Sequence, residues 1–166
     1  MGQSVERLTH GVAHAEFPSW SSDGQWVYFS SQREPKGIWR VPSKGGTPTK
    51  VDGREIARSL DGASVFYADF SGVWKELAEG GERVEVPELR GMYHRLVGKK
   101  IYFVRKEPGP GFSIWLYDLS TANARRLVTI EKEFGWGFSV SPHGDSLLYC
   151  QSEPEEADIM LVDNFR

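Results

Sequence analysis

The chain has 166 residues, 39% hydrophobic and 26% charged, which excludes a disordered polymer and fits one globular domain or a large piece of one. A net charge of −3 and a pI near 5.8 argue against a nucleic-acid binder, which needs a basic face. Its basic pairs, Lys99-Lys100 and Arg125-Arg126, read as hairpin tips, and its one cysteine, Cys150, excludes an internal disulfide and reads as a small buried apolar residue.

At the N-terminus, Met1 to Glu6 lacks the basic and apolar regions of a signal peptide, and no stretch approaches the roughly 18 apolar residues of a membrane span. The chain is expected to be soluble, cytoplasmic as it stands and periplasmic if cut from an exported parent. Residues 3–10 include Ser4-Val5-Glu6-Arg7-Leu8-Thr9, which ends like a strand. The clearest block follows. Phe17-Pro18-Ser19-Trp20 leads into the turn Ser21-Ser22-Asp23-Gly24, then the β-prone run Trp26-Val27-Tyr28-Phe29-Ser30-Ser31. Asp-Gly between two such runs predicts a hairpin, because glycine accepts the positive φ of the turn. A third strand, Ile38-Trp39-Arg40-Val41, a Gly45-Gly46 turn and a short polar fourth strand, Thr47 to Val51, complete the unit.

The same order recurs three times. Asp61-Gly62 precedes Val65-Phe66-Tyr67, Val73-Trp74-Lys75 and Glu82 to Val86. Val97-Gly98 precedes Ile101-Tyr102-Phe103-Val104, Ile114-Trp115-Leu116 and Arg126-Leu127-Val128. His143-Gly144 precedes Leu147-Leu148-Tyr149-Cys150 and Ile159-Met160-Leu161-Val162, after which the fourth copy stops at its third strand. The turn glycines 24, 62, 98 and 144 lie 38, 36 and 46 residues apart, and three of the four third-strand anchors (Trp39, Trp74, Trp115, Met160) are Trp. A four-stranded unit of this size cannot bury both faces alone, so the repeat predicts blades stacked radially as a β-propeller. The fold class is all-β, since no segment carries helical periodicity. The expected blades are 14–53, 54–89, 90–132 and 133–166, with 3–10 supplying the closing strand of the last.

These residues, above all Trp20-Ser21-Ser22-Asp23-Gly24 with Val27-Tyr28-Phe29-Ser30-Ser31 and Ile38-Trp39-Arg40-Val41, resemble the TolB-like (WD-type) propeller repeat of bacteria. The ending Asp158 to Arg166 looks like the C-terminal end of such propellers in bacterial sensor proteins. The resemblance implies a sensing or interaction module and brings no catalytic residues. It also implies rings of six to eight blades. Two closures follow: one chain as a four-bladed ring, or two chains as half-propellers sharing an eight-bladed ring. A fragment of a larger chain is the third reading.

No catalytic motif is present in the sequence. Gly137 to Ser141 lacks the second glycine of a nucleophile elbow, and Gly109-Pro110-Gly111 lacks the Lys of a phosphate loop. His10, His14, His94 and His143 have no zinc spacing, and Glu153, Glu155, Glu156 and Asp158 lack the glycine-punctuated loop of a calcium site. No cofactor is expected. The ligand-binding candidates are first-strand residues counted back from each turn glycine: Glu16, Arg54, Arg90 and Trp136 at eight, and Trp20, Arg58 and His94 at four. If they share one face, the cations form a basic wall flanked by Trp, suited to an anionic ligand or acidic peptide. The leading reading is a non-catalytic module that binds a protein or peptide, or a second copy of itself, with no nucleic-acid or membrane partner. The alternatives are a lyase or hydrolase centred on His94 with Arg58 and Arg90, and a purely structural half-propeller.

Overall fold

The computed structural model describes residues 7–9, 15–21, 23–32, 34–59, 62–69, 72–152, 157–163 and 165. These form four antiparallel sheets, each a meander in chain order. The first holds β1 (Ala15–Trp20), β2 (Trp26–Ser31), β3 (Gly37–Pro42) and β4 (Thr49–Val51). The second holds β5 (Arg54–Arg58), β6 (Ser64–Ala68), β7 (Val73–Leu77) and β8 (Val84–Glu85). The third holds β9 (Met92–Val97), β10 (Lys100–Lys106), β11 (Phe112–Asp118) and β12 (Asn123–Ile130). The fourth holds β13 (Glu133–Val140), β14 (Ser146–Ser152) and β15 (Ala157–Asp163), three strands among the described residues. The sheets stack as blades: β5 meets β2, β9 meets β5 and β13 meets β9. The all-β class holds, with one 3₁₀ turn at Pro87–Leu89. Of the proposed closing segment 3–10, only Arg7, Leu8 and Thr9 are described, outside any strand.

The hairpin turns follow from side-chain chemistry. In the first blade Ser21 Oγ donates to Asp23 Oδ1 at 2.5 Å and accepts the Trp26 amide at 3.0 Å. Ser59 Oγ accepts the Ser64 amide in the second blade, and Ser141 Oγ donates to Asp145 Oδ1 in the fourth. Hydroxyls and carboxylates bonded to nearby amides make these four-residue loops self-sufficient. The third copy has neither Ser nor Asp there. Its chain turns over two residues, with Val97 paired directly to Lys100. Lys99 therefore sits at a tip as expected, whereas Arg125 and Arg126 lie within β12, exposed because that strand is the sheet's outer edge.

Every inner strand is bulged. Glu16 to Ser19 runs opposite Ser30 to Tyr28, and Met92 to Arg95 opposite Val104 to Tyr102, one residue extra each time. Glu55 to Ala57 does the same against Tyr67 to Phe66, and β13 is irregular between Phe134 and Phe138. Phe17 (φ 52°) and Tyr93 (φ 56°) hold left-handed backbone at these points, a strain of about 1–2 kcal/mol each. A bulge also reverses which face the following residues occupy.

Alternation divides each second strand into a face toward the preceding blade and a face toward the following one. Tyr28, Phe66 and Tyr102 point forward and are 2%, 4% and 1% exposed. Phe66, Ala68, Val73 and Leu89 pack forward on Ile101, Phe103 and Tyr117 of the third blade. Tyr102, Val104, Ile114 and Leu116 pack forward on Phe138, Leu147 and Tyr149 of the fourth. Burying each large apolar side chain contributes about 1.5–3 kcal/mol, so these two interfaces hold most of the stability. The interface between the first two blades is polar. Tyr28 bonds Arg40 and lies near Glu55 and Tyr67, while Ser19 Oγ and Arg40 Nε are buried without a hydrogen-bond partner. Cys150 is half-buried rather than enclosed, because it lies on the forward side of the last described blade.

Candidate functional site

The structure does not bring the predicted basic wall into one row, for two reasons. The bulges come first. Arg54 pairs with Ala68 and Arg58 with Val65, four steps along β5 against three along β6, so the alternation does not carry through. Glu16 opposite Ser30 and Trp20 opposite Val27 are split in the same way. The tight third turn comes second. It shifts the count by two residues, so Leu96, opposite Ile101, takes the level of Trp20 and Arg58, and Met92, opposite Val104, takes that of Arg54.

The individual residues therefore have different surroundings. Glu16 is exposed on β1, and its carbonyl accepts from Ser30 Oγ. Trp20 is 63% exposed at the end of β1. Arg58 and Trp136 belong to β5 and β13, but their side chains lie outside the described residues. His94 is buried, stacked on Phe103 with ring centroids 5.6 Å apart. Its Nε2 lies 2.9 Å from the Leu89 carbonyl, which only accepts, so Nε2 carries the proton. Burial, then the charges of Arg54 and Arg95, lower its pKa to about 4, which makes the ring neutral at pH 7. Arg54 is half-buried and held below the usual guanidinium range by burial and by Arg95, a residue the counting missed. Among the described residues no carboxylate forms an ion pair with either arginine.

Arg90 leaves the inner row altogether. It follows the 3₁₀ turn, donates to Glu85 Oε1 at 2.5 Å, and lines a cleft of about 490 Å³ between the second and third blades. Asp69, Met92, Arg105 and Lys106 line the same cleft. Arg105 is fixed on three sides. Its Nε donates to the Arg90 carbonyl at 3.0 Å, its Nη2 to the Glu88 carbonyl at 2.9 Å, and its guanidinium lies 4.3 Å over the Trp115 ring. Burial moves its pKa down from the ordinary guanidinium value. Asp69 is occupied, accepting from the Gly72 amide and from Trp74 Nε1. The cleft thus presents cations with bonded geometry beside the exposed Met92. One sequence signal was available: Arg105-Lys106 ends a second strand at the level of a Trp-bearing third strand. Among the described residues no group of three His, Cys, Asp or Glu side chains stands close enough to hold a metal.

Four stacked meander sheets with bulged inner strands define four blades of a β-propeller. No protein-family model matches the chain. Over 65 residues it is 41% identical to the uncharacterized protein Atu1656 of Agrobacterium fabrum, a stretch covering 39% of this chain and 18% of that one. TolB from Acinetobacter baumannii superposes with a TM-score of 0.64 at 17% identity, covering 89% of this chain and 40% of its own. A TolB-type structure from Agrobacterium tumefaciens gives 0.63 at 21% identity, covering 93% and 64%. A puromycin-hydrolyzing peptidase from Mycobacterium tuberculosis gives 0.63 at 17% identity, covering 96% and 29%. The chain is a TolB-like β-propeller in fold, and it spans less than two thirds of each of these proteins. No helix among the described residues is long and apolar enough to cross a membrane.

Proposed function

We propose that the chain is a non-catalytic interaction module that works by packing against a protein partner, first of all a second copy of itself. One observation carries this reading. On the forward face of the fourth blade, Leu148, Ile159 and Leu161 are 43%, 75% and 63% exposed. By register, Leu148 corresponds to Tyr102, Ile159 to Ile114 and Leu161 to Leu116. Those three are 1%, 0% and 3% exposed, because the next blade covers them. The last described blade therefore has the composition of a blade that is followed by another. At the other end, Phe17 and Trp20 of β1 are 54% and 63% exposed. A second copy supplies a first blade for the last and a last blade for the first, the two-fold arrangement of a shared ring.

Light scattering on a sizing column tests this. A concentration-independent mass near 37 kDa, twice 18.7 kDa, is expected. Leu161→Asp, at an exposed position, is expected to return the chain to single-copy mass without changing its circular dichroism. A lone copy at every concentration argues against self-pairing.

The enzyme reading has less support. His94, on which that reading is centred, is buried, neutral and already bonded to Leu89. A general base must reach its substrate. The likeness to a peptidase is one of fold, and fold does not carry chemistry.

A further inference from the structure

We propose that the cleft between the second and third blades is a binding site for an acidic peptide segment, with a carboxylate seated on Arg105. The proposal rests on the reading of the chain as an interaction module, and it concerns a surface separate from the exposed face of the fourth blade. Three features of the cleft support it.

The first is pre-organisation. Backbone carbonyls of Arg90 and Glu88 hold Nε and Nη2 of Arg105, and the Trp115 ring supports its plane. The Trp115 ring is itself tethered, its Nε1 donating to Ser113 Oγ at 2.7 Å. A long side chain normally loses rotamer freedom when it binds; this one has already lost it, so a ligand incurs less of that cost. Among the described residues its Nη1 makes no hydrogen bond, and it remains a donor for an incoming oxygen.

The second is charge. Arg90 and Arg105 line the cleft against one carboxylate, Asp69, which is engaged by Gly72 and Trp74; Lys106 lines it with its stem, its ammonium lying 5.4 Å over the Phe112 ring on the forward face. Three further acids stand outside the lining, and two of them, Glu107 and Glu88, offset part of the Arg105 charge. Glu85 is bonded to Arg90, Glu107 accepts from Ser113 Oγ, and Glu88 faces solvent while its carbonyl holds Arg105. Among the residues that line the cleft, positive charge therefore exceeds negative. The third is the neighbouring apolar ground. Met92 is 40% exposed and Pro87 lies beside it in the cleft wall. Methionine adapts its shape to an apolar side chain, so the site suits a peptide that alternates acidic and apolar residues rather than a bare anion.

The Trp115 indole reports on the site, since Arg105 stacks on it. Titrating the ¹⁵N-labelled chain with the blocked tripeptide acetyl-Glu-Leu-Glu-amide is expected to shift the Trp115 Nε1–H resonance, assigned with Trp115→Phe. Acetyl-Gln-Leu-Gln-amide is expected to shift it at least tenfold less. Glutarate and inorganic phosphate separate the sources of negative charge, and both are expected to bind more weakly than the peptide. Arg105→Gln should abolish the response. Because Arg105 also ties down backbone, Arg90→Gln serves as the second variant: its side chain is 66% exposed, and it should weaken binding severalfold with an unchanged melting temperature. Equal shifts from the Gln peptide, or a retained response in both variants, would overturn the proposal. So would tighter binding of free phosphate or glutarate, or no shift at millimolar peptide. None of these outcomes bears on the solution mass, so failure here and failure of self-pairing are distinguishable.

Discussion

His94 shows how one residue's surroundings change its chemistry. Counting from the turn glycine made it a cation on a basic wall; burial against Phe103 makes it a neutral donor to Leu89. The consequence is a pH dependence of stability. Its folded pKa is about 4, against about 6.5 in the unfolded chain, so between these values the unfolded state binds the extra proton. The stabilisation is full above pH 6.5 and is lost as pH falls toward 4, by up to about 3 kcal/mol. Urea denaturation at pH 7.5 and pH 4.5 should show this loss, and His94→Phe, which keeps the stack on Phe103, should show a smaller one. An identical loss in the variant would assign it to carboxylates instead. Arg54 was legible as a site candidate and is half-buried near Arg95. Arg105 showed only as a basic residue ending a second strand, because what distinguishes it, the carbonyls of Glu88 and Arg90, no spacing rule brings to it.

At the level of elements, most of the fold was legible. The Trp-anchored third strands and the hairpins that open at Ser21, Ser59 and Ser141 appear as read, because local hydrogen bonds define those turns without help from elsewhere. What was not legible is the bulge in each inner strand. It depends on the level at which the strand meets its neighbour, and it carries no residue signature common to Phe17, Ile56 and Tyr93. Close approach within a blade gives a test. A Cβ added at Gly91 would sit 2.5 Å from the Val104 carbonyl oxygen and 2.7 Å from Phe103 Cδ2. Backbone on one side and a fully buried ring on the other cannot yield easily. Gly91→Ala is expected to destabilise the chain by about 2 kcal/mol or more, whereas Gly109→Ala, with open space around it, should be near neutral. Thermal denaturation of the two variants side by side measures the difference.

For the whole molecule, the three interfaces between blades are unequal. Two are apolar and closely packed, and the one between the first and second blades is built from Arg40, Tyr28 and Glu55, with polar atoms left unpaired. In a linear array, stability is the sum of such nearest-neighbour terms. Amide exchange should therefore be slowest in β10 and β11, whose residues Ile101, Phe103, Val104 and Ile114 are fully buried, and markedly faster in β2 and β3. Uniform protection across all four sheets would contradict this ordering. The repeat was visible in the sequence at this scale, but the inequality was not: Tyr28 and Phe66 occupy equivalent positions, and only their neighbours differ.

The polar seam has a further consequence for how such chains grow. Duplicating a blade whose flanks are plain hydrocarbon inserts a piece that fits against almost any neighbour, since oily surfaces discriminate poorly. A flank bearing Arg40 and the Tyr28 hydroxyl accepts only a neighbour that supplies matching groups, because an unmatched buried guanidinium is costly. The seam between the first two blades thus differs in chemistry from the two that follow it. Insertions and copies in this lineage should accumulate at the two hydrocarbon seams rather than at the polar one.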